Sequence, residues 1–185
     1  MSKPLFEVKD LRKSYGKQLV FEELSFVVSE GEKIAVIGRN GSGKTTLLNI
    51  LMGLEEADGG TAAPLSWTRL GMVAQHEILP GDLSTEAYFE RKSGKPAWEA
   101  RKLASRFGLG PTELAKAPTE LSGGYQMRIK IVAMLLQDPN LLLLDEPVNY
   151  LDLSTLLLLE RFLADYDGSF IVTAHDREFL QNTCT

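Results

Sequence analysis

One cysteine, two histidines and no long apolar run mark what this 185-residue sequence does without. With Cys184 as its only thiol, the chain cannot close an internal disulfide, and no disulfide partner is expected; the thiol itself reads as inert. No apolar stretch reaches the roughly 18–20 residues that span a bilayer, which excludes a transmembrane helix. The start lacks a basic region followed by an apolar signal core, so the expected location is cytoplasmic. Neither sign of charge dominates. Lys and Arg number 20 against 25 Asp and Glu, a net −5, which leaves room for a local basic face but not for a global nucleic-acid surface. Internal repeats and low-complexity segments are also missing. What remains, 44% hydrophobic and 24% charged residues, is an ordinary globular composition with enough length for one domain and a sizeable core.

Strand-like and helix-like segments alternate, which predicts an α/β fold with a mostly parallel core sheet. Phe6–Val8 and Leu24–Val28 read as strands before any long helix, so an N-terminal antiparallel β layer is expected. Lys33–Ile37, Leu70–Ala74, Leu141–Leu144 and Ser169–Thr173 read as core strands; the four leucines are apolar on both faces, as a central parallel strand must be. A helix is expected from about Lys44 to Met52, ended by Gly53. The middle lacks strong strands. Glu86–Lys92 and Trp98–Phe107 suit helices, Gly108, Gly110 and Pro111 punctuate a loop, and 123–137 carries a helical stripe of Ile129, Val132, Ala133 and Leu136. Glu90–Lys95 reads as a solvated helix end. The organisation expected is a single domain over 1–185, with a core of 1–75 and 138–185 and an inserted helical subdomain over about 76–137.

The run Gly38-Arg39-Asn40-Gly41-Ser42-Gly43-Lys44-Thr45 matches the phosphate-binding loop G-x-x-x-x-G-K-[ST], with a buried strand entering and a helix leaving. Its glycines let successive amides point at phosphate oxygens, and the helix N-terminus adds a positive dipole end. Lys44 should reach the β- and γ-phosphates, and the Thr45 hydroxyl should bind Mg²⁺; Thr46 completes the binding set. The leucine strand ends in Asp145-Glu146, at the strand end where ligands of open α/β sheets sit. Asp145 is placed to hold Mg²⁺ through water, and Glu146 is the candidate general base for an attacking water. Leu121-Ser122-Gly123-Gly124-Tyr125-Gln126 stands ahead of the long helix as a second anion-binding terminus, where Ser122 also reads as a simple N-cap.

Together these motifs resemble the nucleotide-binding domain of ATP-binding-cassette (ABC) proteins, a P-loop NTPase fold, over nearly the whole chain and in the right order. Leu121–Gln126 looks like the signature sequence of that family. The resemblance implies an ATPase that uses ATP and Mg²⁺. It makes Tyr15 the aromatic that stacks on adenine, Gln75 the glutamine that touches Mg²⁺ and the lytic water, and His175 the switch histidine at the γ-phosphate. Leu151-Asp152 matches the loop that crosses to a partner domain, and His76 has no family role. It further implies that two such domains, in one parent chain or as a homodimer, pair head to tail. Each ATP then lies between the phosphate loop of one domain and Ser122, Gly123 and Gly124 of the other.

Glu146-Pro147-Val148-Asn149-Tyr150-Leu151-Asp152 and Ala174-His175-Asp176-Arg177-Glu178-Phe179-Leu180 are similar to two runs of class F ABC proteins, which lack membrane domains and mostly act on the ribosome. Val148 and Tyr150 depart from the usual Thr and His. The resemblance also implies that this is a piece of a longer protein with a second ATPase domain. The rival reading is a motor subunit docked on the membrane domains of a transporter. A phosphate-loop kinase or GTPase is disfavoured, because the sequence has no N-K-x-D guanine motif and those classes lack the Leu121–Gln126 element.

Overall fold

The computed structural model describes residues 2–73 and 78–184, apart from the side chain of Tyr150. Gln75, His76 and the end of the strand expected at Leu70–Ala74 lie outside the described residues. In chain order the elements are β1 (Pro4–Tyr15), β2 (Gln18–Ser29), β3 (Lys33–Val36), α1 (Lys44–Leu51), β4 (Gly59–Pro64), β5 (Leu70–Met72), α2 (Thr85–Ser93), α3 (Ala97–Arg106), α4 (Pro111–Ala115), α5 (Gly123–Leu135), β6 (Leu141–Asp145), α6 (Leu153–Ala164), β7 (Ser169–Thr173) and α7 (Arg177–Thr183). The α/β architecture read from the sequence is the one observed.

The described residues divide into two compact units. The first runs up to Met72 and takes in Asn140–Pro147 and the chain from Tyr166 onward. It holds both sheets. One is antiparallel, in the order β2-β1-β4, and the other is parallel, in the order β3-β7-β6-β5. The leucines of β6 and the run Phe170–Val172 of β7 are buried because each strand has a neighbour on both sides. Leu5, Phe6, Val8 and Leu11 of β1 pack with Leu47, Leu48, Ile50 and Leu51 of α1 and with Leu141, Leu143 and Ile171. Burying each such side chain is worth roughly 1.5–3 kcal/mol. This core fixes α1, and therefore the loop before it, against the ends of β6 and β7.

The second unit, Val73–Pro139 with Val148–Asp165, is helical. The expected stripe of α5 is buried: Ile129, Val132, Ala133 and Leu136 are each at most 2% exposed. Four points of the sequence reading need correction. In the first unit, the strand expected to be buried over Lys33–Ile37 is only half-buried along β3, an end strand of the parallel sheet, and Ile37 lies beyond it at 76% exposed. Pro111 does not sit in a loop but opens α4, at the helix position where its missing N–H costs nothing. The leucine-rich α6 was not expected; its N-cap, the Asp152 carboxylate, accepts from the Thr155 amide at 2.8 Å. The solvated end at Glu90–Lys95 holds for Arg91 and Lys92 but not for Lys95, which is half-buried between Glu99 and Asp138, 2.6 Å from each. Among the described residues, no helix is long and apolar enough to cross a membrane.

Candidate functional site

In the first unit, the loop Gly38–Gly43 leaves β3 and delivers the chain into α1. Gly43 is the N-cap of α1 at φ 92°, a backbone that other residues adopt at a cost, and a Cβ there would come 2.2 Å from Val20 Cγ1. No side chain caps this helix, so its positive end faces the loop. Lys44 is 8% exposed, and its ammonium donates to the carbonyls of Gly38 at 3.0 Å and Arg39 at 3.2 Å. The Ser42 amide closes the turn on Arg39 O at 3.1 Å.

The end of β6 supplies both acids, and the end of β7 holds them. Asp145 and Thr173 are register partners on β6 and β7. The Thr173 hydroxyl donates to Asp145 Oδ1 at 2.7 Å and accepts from the Glu146 amide at 2.8 Å, which ties both acids to one side chain. Thr45 Oγ1 donates to the same Asp145 oxygen at 3.4 Å. Glu146 has φ 45°, an uncommon backbone for a non-glycine residue, and its carboxylate lies 2.9 Å from His175 Nε2. Its side chain is 12% exposed and that of His175 is 45% exposed.

Tyr15 ends β1, where a two-residue turn through Gly16 leads to its partner Gln18. Its hydroxyl donates to Glu55 and lies 3.3 Å from Thr46 Oγ1. Lys13 Nζ sits 2.9 Å from Glu55 Oε1 and 5.2 Å from the Tyr15 ring centroid. The Tyr15 hydroxyl first, and then Lys13, hold the Glu55 carboxyl below its usual range, while Glu55 holds Lys13 above its own. One pocket of about 310 Å³ is lined by Tyr15, Gln18, Val20, Asn40, Gly41, Gly43, Lys44, Thr45, Thr46, Glu146 and His175. The structure thus brings together most of the expected set, with Gly38, Arg39 and Asp145 bonded to its walls. Sequence reasoning missed Thr173, Lys13 and Glu55.

In the second unit, Ser122 and Gly123 are exposed at the start of α5. Ser122 occupies the N-cap position but makes no side-chain cap bond, so the simple capping reading of its hydroxyl is corrected. Gly124 packs on Asp152, and a Cβ there would lie 2.1 Å from Asp152 Oδ2. Asp152 accepts from the Ser154 hydroxyl at 2.5 Å and the Thr155 amide, with Arg128 at 3.6 Å. These bonds, the Ser154 hydroxyl first, hold its pKa at about 2 instead of 3.8. A depressed carboxyl stabilises the fold above its unfolded pKa and stops doing so as the pH falls through the folded value. Asp152→Ala should therefore lower the melting temperature by roughly 2–4 °C at neutral pH, the effect of a lost N-cap. The gap to wild type should close as the pH falls from about 4 towards 2, and thermal melts across that window check it.

The sequence matches the family described as "ABC transporter" over residues 21–149. It is 36% identical over 182 residues to the ribosome protection protein VmlR of Bacillus subtilis (strain 168), covering 98% of this chain and 33% of that protein. It is 35% identical over 192 residues to the energy-dependent translational throttle protein EttA of Escherichia coli (strain K12), covering 98% of this chain and 34% of that protein. The chain thus spans about a third of the length of these relatives. A solved ATP-binding subunit of an ABC transporter superposes with a TM-score of 0.83 at 26% identity, over 97% of this chain and 83% of that one.

Proposed function

We propose, on the premise that this chain belongs to the ABC transporter family, that it binds MgATP in the Lys44 pocket, hydrolyses it, and works as one of a pair of such domains. The observation that carries the reading is the convergence on one pocket of Lys44, Thr45, Thr46, Glu146, His175 and Tyr15. The amides of the loop and the N-terminus of α1 cradle the phosphates of ATP, and Lys44 moves from the loop carbonyls to the β- and γ-phosphates. The hydroxyl of Thr45 and the carboxylate of Asp145 are hard oxygen donors bonded to each other, a set that fits Mg²⁺ taken up with phosphate oxygens. When bound, Mg²⁺ neutralises charge that builds on the phosphates. Glu146 accepts the proton of the attacking water, His175 donates to the γ-phosphate, and Gln75 orients the water. Tyr15 stacks on adenine. Ser122, Gly123 and Gly124 meet the nucleotide of the partner domain, so that binding closes the pair and hydrolysis opens it.

The partner we infer is the ribosome, in the cytoplasm. The runs Glu146–Asp152 and Ala174–Leu180, with relatives named for ribosome protection and translational throttling, support a class F protein. The likeness to a transporter's ATP-binding subunit favours the second reading, a motor subunit on membrane domains. Sedimentation of the full-length parent protein from lysate with ATP separates the two. It should pellet with ribosomes, and pelleting with membranes but not ribosomes would overturn the first reading.

A further inference from the structure

We propose that Glu55 and Lys13, which lie outside the pocket, clamp the Tyr15 ring in place as the platform for the nucleotide base; the proposal rests on the reading of the pocket as an ATP site. Tyr15 is 51% exposed at the end of a strand and adds little to the core. A ring so placed has several rotamers open to it, and a ligand that stacks on it must pay to order it. Here the ordering is already done. The phenol donates to the Glu55 carboxylate, a charge-assisted bond, and lies within reach of the Thr46 hydroxyl.

Glu55 is anchored in its turn. Lys13 bonds its carboxylate and also donates to Glu56 O at 2.7 Å. The backbone amide of Glu55 reaches Asn49 O at 3.3 Å. Lys13 stands two residues before Tyr15, on the same side of β1, and is itself 9% exposed. A nearly buried lysine and a carboxylate of low exposure are thus committed to a half-exposed ring. What they gain is its orientation towards the pocket that Thr46 and Lys44 also line. Glu55 and Lys13 are positioning residues, and the base affinity of the site is set through them.

The test titrates MgATP and magnesium tripolyphosphate, which has no base, into wild type, Tyr15→Ala, Tyr15→Phe, Glu55→Gln and the double variant Tyr15→Phe/Glu55→Gln. All should bind tripolyphosphate as wild type does. MgATP should bind Tyr15→Phe and Glu55→Gln roughly three- to tenfold more weakly, and the double variant no more weakly than either single one. Wild-type affinity in both single variants, with Tyr15→Ala still weakened, would overturn the clamp and leave the pocket reading standing. Equal losses for MgATP and tripolyphosphate in Glu55→Gln would also overturn it, because Glu55 would then act through the phosphate loop. Unchanged MgATP binding by Tyr15→Ala, or none by wild type, would overturn the base platform or the pocket reading, and the clamp with it.

Discussion

Glu146→Gln should bind MgATP at least as tightly as wild type and hydrolyse it roughly a hundredfold or more slowly, the usual contribution of a positioned general base. Glutamine keeps the shape of the side chain and loses its basicity and charge. The backbone at this position is held independently of the side chain, because the Glu146 amide donates to Thr173 through both its hydroxyl at 2.8 Å and its carbonyl at 3.1 Å. The amide group should therefore occupy the place of the carboxylate, beside His175. A carboxylate near the γ-phosphate repels it and an amide does not, so binding persists or tightens. With turnover blocked, the closed pair should accumulate, and light scattering should detect a concentration-dependent dimer with ATP and not with ADP. Phosphate release at the wild-type rate would remove Glu146 from the role of base and leave Gln75 and His175 to position the water.

The parts of the fold that the sequence displayed were those whose own residues settle their state. Leu141–Leu144 is apolar throughout, and such a run between two parallel neighbours has nowhere else to go. The strand β4 is the opposite case. Gly59-Gly60-Thr61-Ala62-Ala63-Pro64 carries no strand signal of its own and becomes one because β1 offers it a ladder from Phe6↔Pro64 to Arg12↔Gly59. In α6, Leu156–Leu159 suits a strand as well as a helix, and the Asp152 cap decides.

The site divides along the same line. The phosphate loop is legible because glycines and a lysine at fixed spacing dictate a backbone shape. The acids at the end of β6 are legible because they close a buried strand. Thr173 and Glu55 follow no local pattern. A threonine closing a strand and a glutamate in a loop are ordinary, and their roles arise only through partners 28 and 40 residues away in the chain, Asp145 and Tyr15. The signature residues show the limit of motif reading from the other side: the helix start was correct, but the Ser122 hydroxyl leaves its own helix uncapped.

The central claim is that the pocket around Lys44 holds the phosphates of ATP, and calorimetry of MgATP on wild type and Lys44→Ala tests it most directly. The ammonium is the cation of the phosphate loop, bonded to the carbonyls of Gly38 and Arg39 and opening into the pocket beside Thr45 and Thr46. Alanine is a good helix former at the first position of α1, so the helix and the loop should survive the change. What is lost is one charge-assisted contact to the β- and γ-phosphates. The account predicts tight binding by wild type and at least a tenfold loss in Lys44→Ala, about 1.4 kcal/mol. Equal affinities in the two proteins would contradict it.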